Sequence, residues 1–257
     1  MRIAMLHLAS YLGDLESNCH ELARGMRNAA AAGADWIVTP ELVLCGYRFE
    51  GRIGLSWIAP WPDAWGERVC RLAASLRVTL FVSHPERDPE TNRLHNTVFV
   101  IGPDGITVGS QRKTHLIPES EAWASRAATV APVAVASVRV GILVCADAYT
   151  PVLATRLRER GAEVLISPAA WGPRLYGPKG EWEARSRETG VPLFVCNRIG
   201  TTQEPDFMDA ESVIVNAGER IMTYGSSEPA VLAADWDRAS GMVYPLSPIR
   251  LEAPKEE

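Results

Sequence analysis

Four times in this chain a helix-like stretch or helix end runs into a short apolar segment: "ADWIVTPE", "SLRVTLFVSHPE", "AEVLISPAAW" and "ETGVPLFVCNRIG". A continuous apolar run of this length, without polar alternation, reads as a strand buried on both faces, and such strands need helices to cover them. The stretches before them carry helix signals. From Ser17, residues Cys19, Leu22, Met26, Ala29 and Ala30 step by three and four onto one face, and Gly33 ends the helix. Later Thr150 caps, Pro151 takes the first helical position, Leu153 and Leu157 share a face, and Gly161 stops the helix. "IAML" opens the chain as another short strand. The repetition predicts an α/β fold of two similar halves, each an apolar sheet covered by helices. Between the halves, "NTVFVIGPDGITVGSQRK" reads as strand, turn at Pro103-Asp104-Gly105, strand; "SVIVNAGERIMTYG" is a matching late pair turning at Asn216-Ala217-Gly218. The Pro-rich tail from Gly241 reads as an extended C-terminal arm over 241–257. Without a linker or low-complexity segment, residues 1–257 are expected to form a single domain.

Composition narrows the partners. A chain of 257 residues, 47% of them hydrophobic, buries a sizeable core without disulfides or metals. The net charge of −5 gives no electrostatic reason to expect nucleic acid or an anionic membrane. The opening "MRIAMLHLAS" is too short, and too interrupted by His7, for a signal-peptide core, and no apolar run reaches membrane-spanning length. The five cysteines are odd in number and form no C-x-x-C pair, which argues against a disulfide framework or zinc ribbon and for a reducing, cytoplasmic setting. No His or Asp residues cluster at ligand spacing, and "AAAAGAD" ends a helix where a phosphate-cradling loop would start one, so neither metal nor cofactor is expected.

In such folds reactive residues lie at the carboxyl ends of strands. Four polar residues fit: Glu41 after "WIVTP", Lys113 after "ITVGSQR", Cys145 after "VGILV" and Asn197 after "LFVC". Each has a plainer reading. Glu41 is otherwise an exposed loop acid, and Lys113 part of a solvated charge run, as its neighbour Arg112 is read to be because successive strand residues face opposite ways. Cys145 is otherwise a buried filler, the reading adopted for Cys196. What separates Cys145 is a helix starting near Pro151, whose positive end favours thiolate, and Asp147, an acid that needs a partner if buried. His115 reads as a hydrogen-bonded structural histidine, and Glu119 and Glu121 as loop acids. No signature selects His7, His84, His95 or His115 as partner for a cysteine.

Glu, Lys and Cys at successive strand ends resemble the nitrilase superfamily of carbon–nitrogen hydrolases. "PELVLCGY" is similar to the segment of the family's general base, which falls on Glu41; "RKTHL" to that of its lysine, Lys113; "GILVCADAYTP" to that of its nucleophile, Cys145. "RGAEVLISPAAW", "WEARSRETGVPLFVCNRIG" and "DFMDAESVIVNAGE" continue the pattern along nearly the whole chain. The resemblance implies a four-layer αββα sandwich with two pseudo-symmetric halves and a homodimer or larger assembly, for which the tail is a candidate arm. It implies a cysteine hydrolase that cleaves a small amide through a thioester, with an N-carbamoyl compound or a nitrile as alternative substrates. A second glutamate follows the lysine in relatives; Glu121 fits that offset, with Glu119 as the fallback. Substrate contacts fall on Ala146, Ala170 and Trp171. The chain departs from many relatives at Ala146, where they carry a large residue, at Thr150-Pro151-Val152, and at Glu211, where they carry glycine. Two other classes compete. The intact Glu41, Lys113 and Cys145 argue against an inactive binding protein; a thiol redox protein would need Cys45 or Cys196 as a resolving partner.

Overall fold

The repeated unit builds two sheets in a computed structural model that describes residues 1–173, 177–200 and 207–251. In the first half, β1 (Arg2–His7), β2 (Trp36–Val38) and β3 (Thr79–Arg87) run parallel; β4 (Leu94–Ile101) and β5 (Thr107–Arg112) follow antiparallel. Helices α1 (Leu15–Ala31) and α3 (Ala64–Leu76) lie between the parallel strands, with the short α2 (Glu50–Ile53) before α3 and the short α4 (Pro118–Glu121) after β5. The second half repeats the plan. After β6 (Val133–Val135), strands β7 (Val138–Ile142), β8 (Val164–Ala169) and β9 (Leu193–Asn197) run parallel, with α5 (Pro151–Glu159) and α6 (Glu181–Thr189) between them. Strands β10 (Glu211–Asn216) and β11 (Glu219–Gly225) then close antiparallel. The sheet orders β1-β2-β3-β4-β5 and β7-β8-β9-β10-β11 match strand for strand, so the two halves are pseudo-symmetric.

Burial fixes the layering. Met5, Val38 and Phe81 of the first sheet share one core with Ile142, Ile166 and Phe194 of the second. The opposite face of the first sheet packs Leu6, Ile37 and Leu80 against Leu22 and Met26 of α1 and Val69 of α3. The outer face of the second packs Leu165 and Leu193 against Leu153 and Leu157 of α5 and Trp182 of α6. The layers are therefore helix, sheet, sheet, helix. No helix among the described residues is long and apolar enough to cross a membrane.

Several local expectations change. Strand β1 runs on through His7, because all six residues pair with β12 (Ala230–Asp237). Helix α1 starts at Leu15, before Ser17, because Asp14 caps it by accepting the Ser17 N–H at 3.0 Å. Thr150 stands at the N-cap of α5, but its side chain makes no cap bond; the hydroxyl pairs with His115 Nδ1 at 3.0 Å. Arg112 is no solvated charge: it is paired with Glu86 and Asp88. The tail is not a free arm. Gly241 (φ 73°) turns the chain back, and β13 (Met242–Pro245) and β14 (Ile249–Arg250) both pair with β12. Residues 252–257, the end of the expected arm, lie outside the described residues.

Candidate active site

The strand ends of both halves meet at one edge of the sandwich. Glu41 follows β2 and Lys113 follows β5; both are fully buried. Lys113 Nζ donates to Glu41 Oε1 and to Glu121 Oε2, each at 2.7 Å. Glu121 is the last residue of α4; Ile117 N–H donates to its Oε2 at 3.0 Å, and it is buried while Glu119 is exposed. Two residues apart on a helical turn do not share a face, so Glu121 lies beside Lys113 and Glu119 faces away. Glu41 Oε2 accepts the Ala170 N–H at 3.1 Å.

Cys145 comes from the other half. It follows β7 by three residues and opens a 3-10 turn, Cys145–Tyr149. Its φ of 48° lies in the left-handed region, a strained setting for a side chain and one that clusters at functional turns. Its thiol lies within electrostatic reach of the Glu41 carboxylate and the Lys113 ammonium.

The electrostatics follow from burial. Burial pushes the Cys145 thiol well above its usual range, and the nearby Glu41 carboxylate pushes the same way. Helix α5 does begin at Pro151, one 3-10 turn beyond Cys145, and burial still dominates at the thiol. Cys145 therefore rests as a thiol whose proton must go to a base during attack. Burial also raises Glu41, against the pull of Lys113. For Lys113, burial lowers the ammonium, but Glu121 and Glu41 outweigh it and hold the group above its usual range.

The remaining candidates fall into supporting places. Asn197 does not join the charged set: its Oδ1 accepts the N–H groups of Trp171 at 3.0 Å and Arg198 at 3.1 Å, bracing the loop that carries Ala170. Trp171 packs tilted against Tyr149 and edge-on against Trp182 on the helix side of the second sheet, Ala170 packs beside Leu42 and Tyr47, and Ala146 is buried in the 3-10 turn. Cys196 is the expected filler, its thiol aimed at the carbonyls of Leu6 and Val38 between the sheets. Cys45, Cys145 and Cys196 belong to three different packed clusters, which removes the support for a redox pair.

Two side chains escaped the sequence reading. Asn96, at the start of β4, donates from Nδ2 to both Glu41 Oε1 (2.7 Å) and Glu121 Oε1 (2.8 Å). Its only sequence signal was an amide inside an apolar strand, "NTVFVI". Tyr47 pairs its hydroxyl with Ser120 at 2.7 Å, beside Glu121.

A carbon–nitrogen hydrolase family model matches residues 2–242. The chain belongs to the carbon–nitrogen hydrolase family. A protein named as a hydrolase from Mycobacterium tuberculosis is 33% identical, over 92% of this chain and 89% of its own length. A glutamine-dependent NAD(+) synthetase from Thermotoga maritima is 25% identical over 92% of this chain, which spans only 42% of the synthetase. Among solved structures, a variant of the amidase from Nesterenkonia sp. AN1, with acrylamide joined by Michael addition to its active-site cysteine, is 26% identical. It covers 92% of this carbon–nitrogen hydrolase and 93% of its own chain, with a TM-score of 0.80. Yeast Nit3, of branch 10 of the nitrilase superfamily, shares the fold at a TM-score of 0.80 and 22% identity, over 91% of this chain and 89% of its own.

Proposed function

We propose that this carbon–nitrogen hydrolase is a cysteine amidase that hydrolyses a small carboxamide through a thioester and releases ammonia. The observation that carries the reading is the fully buried ion pair of Lys113 with Glu41, close enough to Cys145 for both charges to act on its thiol. The likeness to the Nesterenkonia amidase supports the choice of an amide. Glu41 takes the thiol proton as sulfur attacks the carbonyl carbon. The ammonium of Lys113 and a backbone N–H near Ala146 stabilise the oxyanion; loss of one such donor costs about 3–4 kcal/mol in acyl transfer. Glu41 then protonates the leaving nitrogen, which departs as ammonia. A water gives its proton to Glu41 and attacks the thioester; the carboxylic acid leaves and the proton returns to sulfur. A base with a raised pKa suits both directions of this traffic. Glu121 keeps Lys113 charged and in place, and Asn96 spaces the two carboxylates.

The test is to screen small amides, N-carbamoyl compounds and nitriles for released ammonia and to trap the acyl group on Cys145 by mass spectrometry. The expected result is amide turnover, an adduct on Cys145 and an inactive, folded Cys145→Ala variant. Turnover retained by Cys145→Ala, or confined to nitriles or carbamoyl compounds, overturns the assignment.

A further inference from the structure

That mechanism leaves one buried acid without a role. Asp147 lies two residues past the nucleophile, wholly out of solvent. Its Oδ1 accepts the backbone N–H groups of Thr114 at 2.9 Å and His115 at 2.7 Å. Its Oδ2 accepts the N–H of Val144 at 3.0 Å. The first two donors immediately follow Lys113; the third immediately precedes Cys145. One carboxylate thus ties the segment bearing the ammonium to the turn bearing the thiol. These segments come from opposite halves of the fold, and among the described residues the peripheral His115–Thr150 pair also joins them.

We propose that Asp147 is a positioning residue: it fixes Lys113 relative to Cys145 and holds the nucleophile in its left-handed conformation, without touching a reacting atom. The proposal rests on the acyl-enzyme reading above. The stereochemistry calls for a carboxylate. Three N–H donors converge on two oxygens, and a carboxylate accepts from every direction. An asparagine offers one oxygen; its NH2 group must then face either the Val144 N–H or the Thr114 and His115 pair, donor against donor. Either way one catalytic segment is released. A misplacement of about 1 Å costs roughly 100-fold in rate when geometry carries the catalysis.

The experiment compares the full-length wild type with Asp147→Asn. Iodoacetamide, which alkylates cysteine thiols, serves as titrant and as kinetic probe, its adduct read at Cys145 by peptide mass spectrometry so that the half-exposed Cys70 is not counted. Counting sites alkylated under native conditions removes any loss of folded protein from the comparison. The expected outcome is a kcat per titrated site lowered roughly 100-fold, an unchanged KM, and slower alkylation of Cys145. Wild-type kcat per site together with wild-type alkylation overturns the proposal, whatever happens to the melting temperature. Slower alkylation with no amide turned over by either protein supports the positioning role and overturns the amidase reading. If Asp147→Asn lacks native circular dichroism, Asp147→Glu, which keeps both acceptor oxygens on a longer stem, carries the same measurement with the same outcomes.

Discussion

Glu41 is asked to move every proton in the proposed cycle. Glu41→Gln keeps the shape and removes the base, but its single oxygen can serve either the Ala170 N–H or the Lys113 and Asn96 donors, so the melting temperature is expected to fall as well. Acylation in a single-turnover assay of the folded variant is expected to fall by about 10²–10⁴-fold, the range for general base catalysis; a near-normal rate would take the role away from Glu41. A second residue-scale effect concerns pH. Burial lowers the pKa of His7 to about 4, and its ring nitrogens face the Ser212 hydroxyl at 2.8 Å and the Ser226 carbonyl at 3.2 Å. The unfolded chain binds a proton at this residue below its usual value of 6.5, the folded chain only near 4. Between those values the unfolded state holds more protons, so stability falls as pH falls, by up to about 3 kcal/mol at full shift. Melting temperature against pH is expected to slope less over this window in His7→Gln; equal slopes would refute the assignment. At this scale the strand-end places of Glu41, Lys113 and Cys145 were legible in the sequence, Glu41 and Cys145 after apolar runs and Lys113 after the mixed run "ITVGSQR", while their roles came from the family resemblance. Asn96 was not, because its partners lie 55 and 25 residues away and nothing local marks them. Asp147 was legible only as an acid in need of a partner, since backbone N–H groups leave no trace in a sequence.

The elements were read well where the signal is local. Pro103-Asp104-Gly105 does form the turn between β4 and β5: Gly105 has φ 81°, and its N–H donates to the Gly102 carbonyl at 2.9 Å. A Cβ there would stand 2.8 Å from the Cys70 carbonyl oxygen of α3, whereas one on Gly241, at φ 73°, meets nothing within 4 Å. Gly241→Ala is therefore expected to cost about 1–2 kcal/mol, the strain of a left-handed residue. Gly105→Ala adds a clash with rigid backbone and should cost clearly more. Thermal or denaturant unfolding of the two variants checks the order; equal losses would mean that the turn shifts freely away from α3. Reading failed where pairing is remote. Nothing near Arg112 announces Glu86 and Asp88, which reach it from β3 and the turn that follows. Thr150 matched a cap signal, but His115 claims its hydroxyl.

At the scale of the whole molecule, the duplication was visible because both halves repeat the same helix-to-strand grammar. The fate of the tail was hidden, since Pro-rich composition says nothing about which edge a strand will find. With β13 and β14 seated on β12, the tail no longer argues for a second subunit, and the expected homodimer rests on the family resemblance alone. Truncation after Gly241 would strip β12 of β13 and β14, leaving β1 paired with it, and remove the buried Val243 and Leu251. The shortened chain is expected to melt at a lower temperature; an unchanged midpoint would mean that these strands decorate the fold without supporting it.

The register of β1 against β12 pairs Arg2 with Asp235, and His7 with Ala230. The strand at residues 2–7 must therefore wait for the one at residues 230–237. Base and ammonium emerge early, the thiol midway, and the sheet that carries Glu41 and Lys113 is complete only after residue 230 is available. Such long-range closure is slow compared with local helix formation. Cys145 is therefore in the chain before the sheet that carries Glu41 and Lys113 can close.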